Sequence, residues 1–360
     1  MFVVNESNAS NIIMLRRYFP LEATVVKDMR NAMMPTKFKI VAALLSLAAG
    51  VPVPAHEQLP AAKRDYRADM RIFVQNISVA AKKVNPAFLV VPQGGIGLAT
   101  DNGTADGKPV ADYLKAIDGV GQEEVFYGYD NKDNRKTPKK ETDYFLKQLA
   151  LLKTAGKPVL SIDYANKRPL IDDAYARNAT ASFVPFVADR RGLDSVPTYP
   201  AKPVHENTDD VQKFKDVKNF LYVIDGGKFG TKEKYIAALA KTNHDLLVID
   251  LFTGDWSATA DDLKRLRTKA NGGRRLVVCY VSIGEAENYR LYWKMDWKPG
   301  APAFLGKENP QWKGNFAVKY WQTEWQSLFI GGQDAYLSRV LAAGFDGIYL
   351  DKVDEYEWFE

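Results

Sequence analysis

Short apolar runs alternate with longer amphipathic stretches along most of the chain, and this alternation is the strongest structural signal in the sequence. Eight of the runs are rich in Val, Ile, Leu and Phe, and their length suits strands covered on both faces, as in a parallel sheet. These runs occupy residues 88–92, 116–120, 158–163, 183–187, 220–225, 245–250, 275–282 and 345–351. The stretches between them predict the crossover helices that parallel strands require.

The longest helical pattern covers residues 61–83, whose apolar face is formed by Met70, Ile72, Phe73, Ile77 and Ala80. Similar periodicity occurs at residues 142–154, 168–178, 232–241, 260–269 and 334–343. Eight strands with such helices, in about 305 residues, predict one α/β domain with the TIM-type (β/α)8 barrel fold. An open, doubly wound sheet is the main alternative.

A polar segment at residues 190–217 interrupts the alternation. It contains Tyr199, Pro200 and Pro203 but has no clear apolar period, and all seven tryptophans follow it, from Trp256 to Trp358. Either a domain linker or a long loop after the fourth strand would have this composition. We favour the loop, which leaves residues 56–360 as a single catalytic domain.

The first 55 residues have the pattern of a leader. Lys37 and Lys39 precede the apolar run IVAALLSLAA at residues 40–49, and a Val-x-Ala sequence ends at Ala55. This order is typical of a secretory signal peptide, over about residues 33–55, and the run is too short to span a bilayer comfortably. A buried helix is the alternative. We predict a secreted or periplasmic protein, cleaved after Ala55, with no stable membrane insertion afterwards.

Composition narrows the possible chemistry. The chain has one cysteine and three histidines against 44 acidic residues, so a cysteine-rich zinc site is excluded and acid–base work falls to Asp and Glu. Without residues 1–55 the net charge falls from +5 to +2, and nothing in this balance requires a nucleic-acid partner. No metal and no cofactor is expected.

Acidic residues follow most of the predicted strands. The residues at or just beyond the strand ends are Gln93, Glu123 or Glu124, Asp163, Asp189, Asp225, Asp250, Glu285 and Asp351. Barrel enzymes build their active sites at these ends. Helix capping and turns account for about half of such acids, and the excess predicts a ring of carboxylates whose pKa values separate into a proton donor and an anion.

Two kinds of chemistry use a carboxylate ring, namely a divalent-metal site and glycoside cleavage. The chain lacks the tight Asp-x-Asp cluster that favours a metal. Glycoside cleavage also predicts aromatic platforms, and the region after the seventh strand supplies candidates at Tyr280, Tyr289, Tyr292, Trp293, Trp297, Trp312, Tyr320, Trp321 and Trp325. Each of them could instead belong to a locally packed insertion.

Several segments carry a resemblance to a known family. They are YVSIGEAENYRLYW at 280–293, WKGNFAVKYWQTEW at 312–325, GFDGIYLDKVDEYEWFE at 344–360, FLVVPQGG at 88–95, AIDGVGQEEVFYG at 116–128 and VLSIDY at 159–164. Together they resemble glycoside hydrolase family 114, the endo-α-1,4-polygalactosaminidases and their extracellular relatives. In that family the segment like 220–351 comes first, so the resemblance implies a circularly permuted barrel. Permutation requires residues near 60 and near 360 to be neighbours.

The resemblance also implies site residues and a substrate. It assigns Asp351 as nucleophile or stabilising anion and Glu123 as general acid/base, with Glu124 as the second choice for that position. It makes the partner an amino-sugar polysaccharide, contacted by Asp163, Tyr164, Asp250, Tyr280, Glu285, Trp321 and Asp354. A non-catalytic carbohydrate-binding barrel is the main alternative; an intracellular tRNA ligase and a metal-dependent deacetylase fit the sequence poorly.

Overall fold

The computed structural model describes residues 64–360, so the predicted signal peptide and the cleavage site after Ala55 lie outside the described residues. Among residues 64–360, no helix has both the length and the apolar character needed to cross a membrane. Cys279, the single cysteine of the sequence, is buried in the core.

Thirteen strands are present in the described part of the chain. They are β1 (Leu89–Pro92), β2 (Val120–Glu123), β3 (Val159–Tyr164), β4 (Val184–Ala188), β5 (Phe220–Tyr222), β6 (Leu246–Asp250), β7 (Phe252–Thr253), β8 (Trp256–Ser257), β9 (Leu276–Ser282), β10 (Glu285–Glu287), β11 (Leu305–Glu308), β12 (Asn315–Val318) and β13 (Gly347–Asp351). Eight of them, β1–β6, β9 and β13, correspond to the eight predicted strands, although the second is displaced along the chain.

Eight α-helices connect or flank these strands. They are α1 (Tyr66–Val84), α2 (Ala111–Ala116), α3 (Lys139–Thr154), α4 (Arg168–Ala181), α5 (Lys232–Ala240), α6 (Ala260–Leu266), α7 (Thr323–Ser327) and α8 (Tyr336–Ala343). Helix α1 begins where the Asp65 side chain accepts the Ala68 N–H at 2.8 Å. Its Met70, Phe73 and Ile77 are buried as predicted, whereas Ile72 is half exposed.

The long strands form a parallel arrangement in two sheets. One sheet has the order β1-β13-β9-β6-β5 and the other β2-β3-β4, and a single parallel bridge between Gln93 and Gly121 joins β1 to β2. Within residues 64–360 no ladder pairs β4 with β5, although Phe186 and Phe220 from these strands lie in ring contact. This is a mixed α/β fold with a parallel central sheet, consistent with a TIM-type barrel, and barrel closure stays a prediction.

The second strand is where the predicted position was wrong. The structure places it at β2, Val120–Glu123, and ends helix α2 at Ala116, where the strand was expected to begin. Its sequence, VGQE, lacks the apolar run of the other strands. Gly121 is required because a side chain there would collide with the hydroxyl of Tyr349 on strand β13. A buried strand with polar residues facing a cleft therefore gave no strand signal.

Two other features position the cleft. The segment at 190–217 connects β4 to β5 and contains a short 3-10 turn, Phe214–Asp216. After β9 the chain forms a small antiparallel sheet of order β10-β12-β11.

The first and last described elements meet, because Arg67 forms an ion pair of 2.6 Å with Glu360 and the ring of Tyr66 lies 5.3 Å from that of Phe359.

Candidate active site

A cleft of about 1290 Å³ opens at the carboxyl ends of the parallel strands. Its floor contains Gln93 after β1, Glu123 at the end of β2, Tyr164 at the end of β3, Tyr280 on β9 and Asp351 at the end of β13. Active sites of parallel α/β folds lie at the carboxyl ends of the strands. Here those ends bring together residues from distant parts of the sequence. The volume exceeds that of a typical site for a small ligand.

Asp351 is held at the cleft floor by three donors. Its Oδ1 accepts the amide of Gln93 at 3.0 Å and the backbone N–H of Lys352 at 2.8 Å, while its Oδ2 accepts the Tyr280 hydroxyl at 2.7 Å. Burial raises the pKa of Asp351 to about 6, although the Lys352 charge and the Tyr280 hydrogen bond oppose this rise. The carboxyl is therefore oriented, and it is ionised above about pH 6.

Glu123 lies at the end of β2 and faces the same space. Its Oε1 accepts a short hydrogen bond from the Tyr164 hydroxyl. Burial, followed by the charge of Asp351, raises the pKa of Glu123 to about 7, which makes it the more readily protonated of the two. Two carboxyls with separated pKa values can serve as a proton donor and an anion.

Glu124 follows directly but points elsewhere. Its backbone has the left-handed conformation, with φ at 59°, and its carboxylate forms an ion pair of 2.6 Å with Arg191. It also accepts the backbone N–H of Asp130 at 3.2 Å. Arg191 in turn lies over the ring of Tyr164, 4.2 Å from its centroid. Glu124 lines the cleft in this arrangement and orders the wall beside Glu123.

A second charged group occupies the β6 side of the cleft. Asp250 forms an ion pair of 2.6 Å with Arg290, which is also paired with Glu287, and all three side chains are buried. Burial raises the pKa of Asp250 to about 6, and Arg290 opposes the rise. Arg290 therefore links the chain at Glu287 to strand β6 at Asp250.

Two more predicted residues line the cleft near Asp351. Glu285 accepts the side-chain amides of Asn309 at 2.8 Å and Asn315 at 3.3 Å, and the ammonium of Lys352 lies 3.4 Å from it. Asp354, in the 3-10 turn after β13, has neither a hydrogen-bond nor an ion-pair partner among residues 64–360. Asp354 is therefore a carboxylate available to a ligand.

Asp163 and Trp321 lie away from the cleft. Asp163 is fully buried, and its oxygens accept the N–H groups of Phe126 and Tyr127 and the amide of Asn178 at 2.7–2.9 Å. This carboxylate fixes the chain that follows Glu124. Trp321 packs against the ring of Tyr66 in helix α1 and against the ring of Phe359. Both side chains therefore make structural contacts, and neither of them lines the cleft.

The aromatic candidates divide in the same way. Tyr280, Tyr289 and Trp312 line the cleft, and the last two are exposed. The others are packed against one another: one cluster contains neighbouring phenylalanines with Tyr292, Trp293, Trp297 and Trp325. Tyr320 packs instead against Trp321 and Phe359. Tyr129 and the highly exposed Trp358 also line the cleft and were not predicted. The sequence marks Gln93 only as a strand-end residue and gives no signal of its contact with Asp351.

The site's chemistry is carboxylate chemistry. Within the described residues, no group of three or more His, Cys, Asp or Glu side chains has the arrangement of a metal site. Asp225 lines the cleft but accepts the backbone N–H of Gly227 at 2.8 Å, as an aspartate that stabilises a turn does. Glu123 and Asp351 both lie at the cleft floor, where the charge of Asp351 acts on Glu123.

Comparison with known proteins addresses the C-terminal part of the chain. Residues 202–359 match the model of glycoside-hydrolase family GH114. The matched range includes Asp250, Tyr280, Glu285, Asp351 and Asp354. It begins in the loop before β5, and it leaves out β1–β4 with Glu123 and Tyr164. The matched range makes up less than half of the chain.

Three curated relatives are similar over part of their length. An uncharacterized protein of Methanocaldococcus jannaschii is 35% identical over 154 residues, 43% of this chain and 42% of the relative. One of Deinococcus radiodurans is 40% identical over 131 residues, 36% of this chain and 39% of the relative. One of Thermotoga maritima is 49% identical over 82 residues, 23% and 24% respectively. The matched segments span less than half the length of each of these relatives.

Proposed function

We propose that the protein is a glycoside hydrolase that cleaves an α-1,4-linked galactosamine-type polysaccharide, with Glu123 and Asp351 as its carboxylate pair. The observation that carries this proposal is the pair itself, at the floor of a large cleft, with pKa values raised to about 7 and about 6. The GH114 match supports the reaction class. The substrate and the two roles go beyond that match.

In the proposed reaction Glu123 donates its proton to the glycosidic oxygen as the bond to the anomeric carbon breaks. Asp351 remains the anion and stabilises, or attacks, the positive charge that develops at that carbon. Water then supplies the new hydroxyl group, and its released proton restores Glu123. A carboxyl separation of about 5–5.5 Å would give retention, and one of about 6.5–9.5 Å inversion.

A cationic amino sugar suits the charges of this cleft. Asp354 offers an unpaired carboxylate within reach of the floor, and Glu285 adds negative charge beside it. The rings of Tyr289 and Trp312 are exposed at the cleft, as stacking platforms for a sugar polymer would be. A neutral glucan could donate hydroxyl hydrogen bonds to this carboxylate but would not neutralise its charge.

We further propose that the enzyme is exported by the leader at residues 1–55 and that its barrel is circularly permuted. The contact of Arg67 with Glu360 supports permutation, because it brings the two ends of the described chain together. The family match begins at residue 202, in the middle of the chain, which also suits a displaced starting point.

The proposal is tested by incubating the protein with partially deacetylated poly-α-1,4-galactosamine and measuring new reducing ends. Glu123→Gln and Asp351→Asn are assayed beside the parent, and circular dichroism checks that each is folded. We expect turnover by the parent and a loss of about a thousandfold in each variant. Glu124→Gln is the matched control, because it changes an adjacent carboxylate that is paired with Arg191; we expect it to keep most of the activity.

Each other outcome has a defined meaning. If Glu124→Gln abolishes turnover and Glu123→Gln does not, the general acid has been assigned to the wrong neighbour. If the parent binds the polymer, measured by co-sedimentation, but releases no reducing ends, the carbohydrate-binding alternative is correct. If a fully acetylated or neutral polymer is cleaved faster, the argument from Asp354 fails.

A further inference from the structure

Each carboxyl of the proposed pair accepts a hydrogen bond from a tyrosine hydroxyl. Tyr164, at the end of β3, donates to Oε1 of Glu123, and Tyr280, on β9, donates to Oδ2 of Asp351 at 2.7 Å. The two carboxyls differ in their other donors. Asp351 accepts two further hydrogen bonds, whereas Tyr164 is the one donor to the Glu123 carboxyl among residues 64–360. The orientation of Glu123 therefore depends on this tyrosine.

The ring of Tyr164 is held by its neighbours. The guanidinium of Arg191 lies 4.2 Å from the ring centroid and is itself fixed by an ion pair of 2.6 Å with Glu124. Gly128 lies against the same ring, and a β-carbon at position 128 would come within 2.9 Å of it. The backbone N–H of Tyr164 donates to the carbonyl of Tyr127 at 3.1 Å. The fold thus sets the position of the hydroxyl independently of any ligand.

The hydrogen of the Tyr164 hydroxyl has one acceptor. Burial raises the pKa of Tyr164 well above its usual value, so the hydroxyl keeps its single hydrogen at neutral pH. In the described part of the chain, Oε1 of Glu123 is the only hydrogen-bond partner of this buried hydroxyl. If a protonated Glu123 donated from Oε1 instead, the tyrosine hydrogen would lack an acceptor there, which is unfavourable. Oε1 therefore accepts, and a proton on Glu123 belongs on Oε2.

Oε2 of Glu123 is the oxygen open to a ligand. Glu123 lines the cleft, and within residues 64–360 its Oε2 has neither a hydrogen bond nor an ion pair. We propose that Tyr164 is a positioning residue that holds Glu123 through Oε1 and so keeps the acidic proton on Oε2, where it can reach the substrate. This inference rests on the proposed glycoside hydrolysis and adds the residue that orients its acid.

The same hydrogen bond assists the proton transfer. As the Oε2–H bond breaks, the proton forms its new bond to the glycosidic oxygen, and negative charge spreads over both oxygens of Glu123. The hydrogen bond from Tyr164 to Oε1 becomes charge-assisted at that stage and stabilises the carboxylate that forms. When water later returns a proton to Oε2, the starting arrangement is restored. Tyr164 acts through Glu123 and need not touch the sugar.

Other charged or titratable groups also surround Glu123. They are Asp351 on β13, Glu124 beside it, Arg191 after β4, Tyr222 on β5 and Tyr349 on β13. Burial raises the pKa of both of these tyrosines well above the usual value, so they stay neutral. None of these five groups donates a hydrogen bond to Glu123. A variant that lacks only the Tyr164 hydroxyl therefore leaves the surrounding charges unchanged.

The position of the proton can be measured without turnover. Infrared spectra are recorded for the parent and for Tyr164→Phe at a pH well below the pKa of Glu123, and the band lost in Glu123→Gln identifies its C=O stretch. A C=O group that accepts a hydrogen bond absorbs at lower frequency than a free one. With the proton on Oε2, the carbonyl oxygen is Oε1, which Tyr164 binds. We therefore expect the band to move to higher frequency in Tyr164→Phe.

Tyr349→Phe is the matched control. It removes the same group from another buried tyrosine near Glu123, whose hydroxyl has no hydrogen-bond partner among the described residues. The C=O band of Glu123 should stay in place in this variant. An unchanged band in Tyr164→Phe, or an equal movement in Tyr349→Phe, would overturn the proposal.

Kinetics supply the second test. In Tyr164→Phe we expect kcat to fall about tenfold with little change in KM, because the hydrogen bond stabilises charge that forms during the reaction. Loss of a donor to the carboxylate also raises the pKa of Glu123. The basic limb of kcat/KM, where Glu123 loses its proton, should therefore move upward by about one pH unit. Tyr280→Phe should move the acidic limb instead, because its hydroxyl binds Asp351.

Together the two measurements separate this inference from the proposed function. If the parent hydrolyses the polymer but neither the infrared band nor the basic limb moves in Tyr164→Phe, the inference about Tyr164 alone is wrong. If the band moves as expected and no amino-sugar polymer is cleaved, Tyr164 does position the proton of Glu123 and the proposed substrate is wrong.

Discussion

Asp163 and Asp351 lie in the last two residues of two parallel strands, β3 and β13, and each accepts three hydrogen bonds. Burial raises the pKa of each to about 6. They differ in access and in the source of their donors. Asp163 is sealed from solvent and binds two backbone amides, whereas Asp351 lies at the floor of a cleft. A shifted pKa and a full set of hydrogen bonds therefore do not by themselves distinguish a structural carboxylate from a reactive one.

The comparison also shows how one region supports the other. The amides that Asp163 binds belong to Phe126 and Tyr127, just beyond the pair Glu123 and Glu124. Asp163 therefore fixes the chain that leaves β2, at the point where the proposed general acid must be held. Its contribution to catalysis would be exerted through the fold.

The largest effects are expected from replacing each aspartate by alanine. Asp163→Ala leaves three buried donors unpaired, so the free energy of unfolding should fall by about 3 kcal/mol or more. In Asp351→Ala the freed donors face the cleft and water can replace the carboxylate, so stability should change by less than about 1 kcal/mol. Urea denaturation measures both.

Activity should respond in the opposite order. Asp351→Ala should lose about a thousandfold in kcat while remaining folded. Asp163→Ala, assayed at low temperature, should retain activity in proportion to its folded fraction. The contrast fails if Asp163→Ala is stable but inactive, because that result would give Asp163 a direct role in the reaction.

The pH dependence of kcat/KM should come from Asp351 and Glu123, the two carboxyls at the cleft floor, and not from the sealed Asp163. We expect kcat/KM to rise through about pH 6, as Asp351 loses its proton, and to fall above about pH 7, as Glu123 loses its own. The result is a narrow bell in a plot of kcat/KM against pH. A profile that stays flat from pH 4 to 9 would contradict the assignment of these two carboxyls.

A smaller effect should separate two tryptophans. Trp312→Ala should weaken binding of the polymer several-fold, seen as a higher KM, because the ring is exposed at the cleft. Trp321→Ala should instead lower stability by about 2 kcal/mol, because it removes ring contacts with Tyr66 and Phe359. If both variants changed KM equally, the distinction between a sugar-stacking role for Trp312 and a packing role for Trp321 would be wrong.

Much of the fold could be predicted from the sequence, because seven of the eight parallel strands are apolar runs, and their composition indicates that they are buried. The second strand was not, because Gln122 and Glu123 are polar and Gly121 is required by a tyrosine more than two hundred residues away. The acidic strand ends were equally visible, but their roles were not. Whether Asp163 meets solvent or the amides of residues 126 and 127 is decided by tertiary contacts that strand periodicity does not encode.

The ion pair between Arg67 and Glu360 joins residues 293 positions apart. In the unfolded chain these residues are free to separate, and bringing them together costs conformational entropy. A short covalent link at this contact would remove that freedom before folding starts, with a gain on the order of 5 kcal/mol from loop-closure entropy. The native structure would need little change to accept a link between these two positions, since the two side chains are already in contact. A crosslink between positions 67 and 360 should therefore act mainly on the unfolded chain.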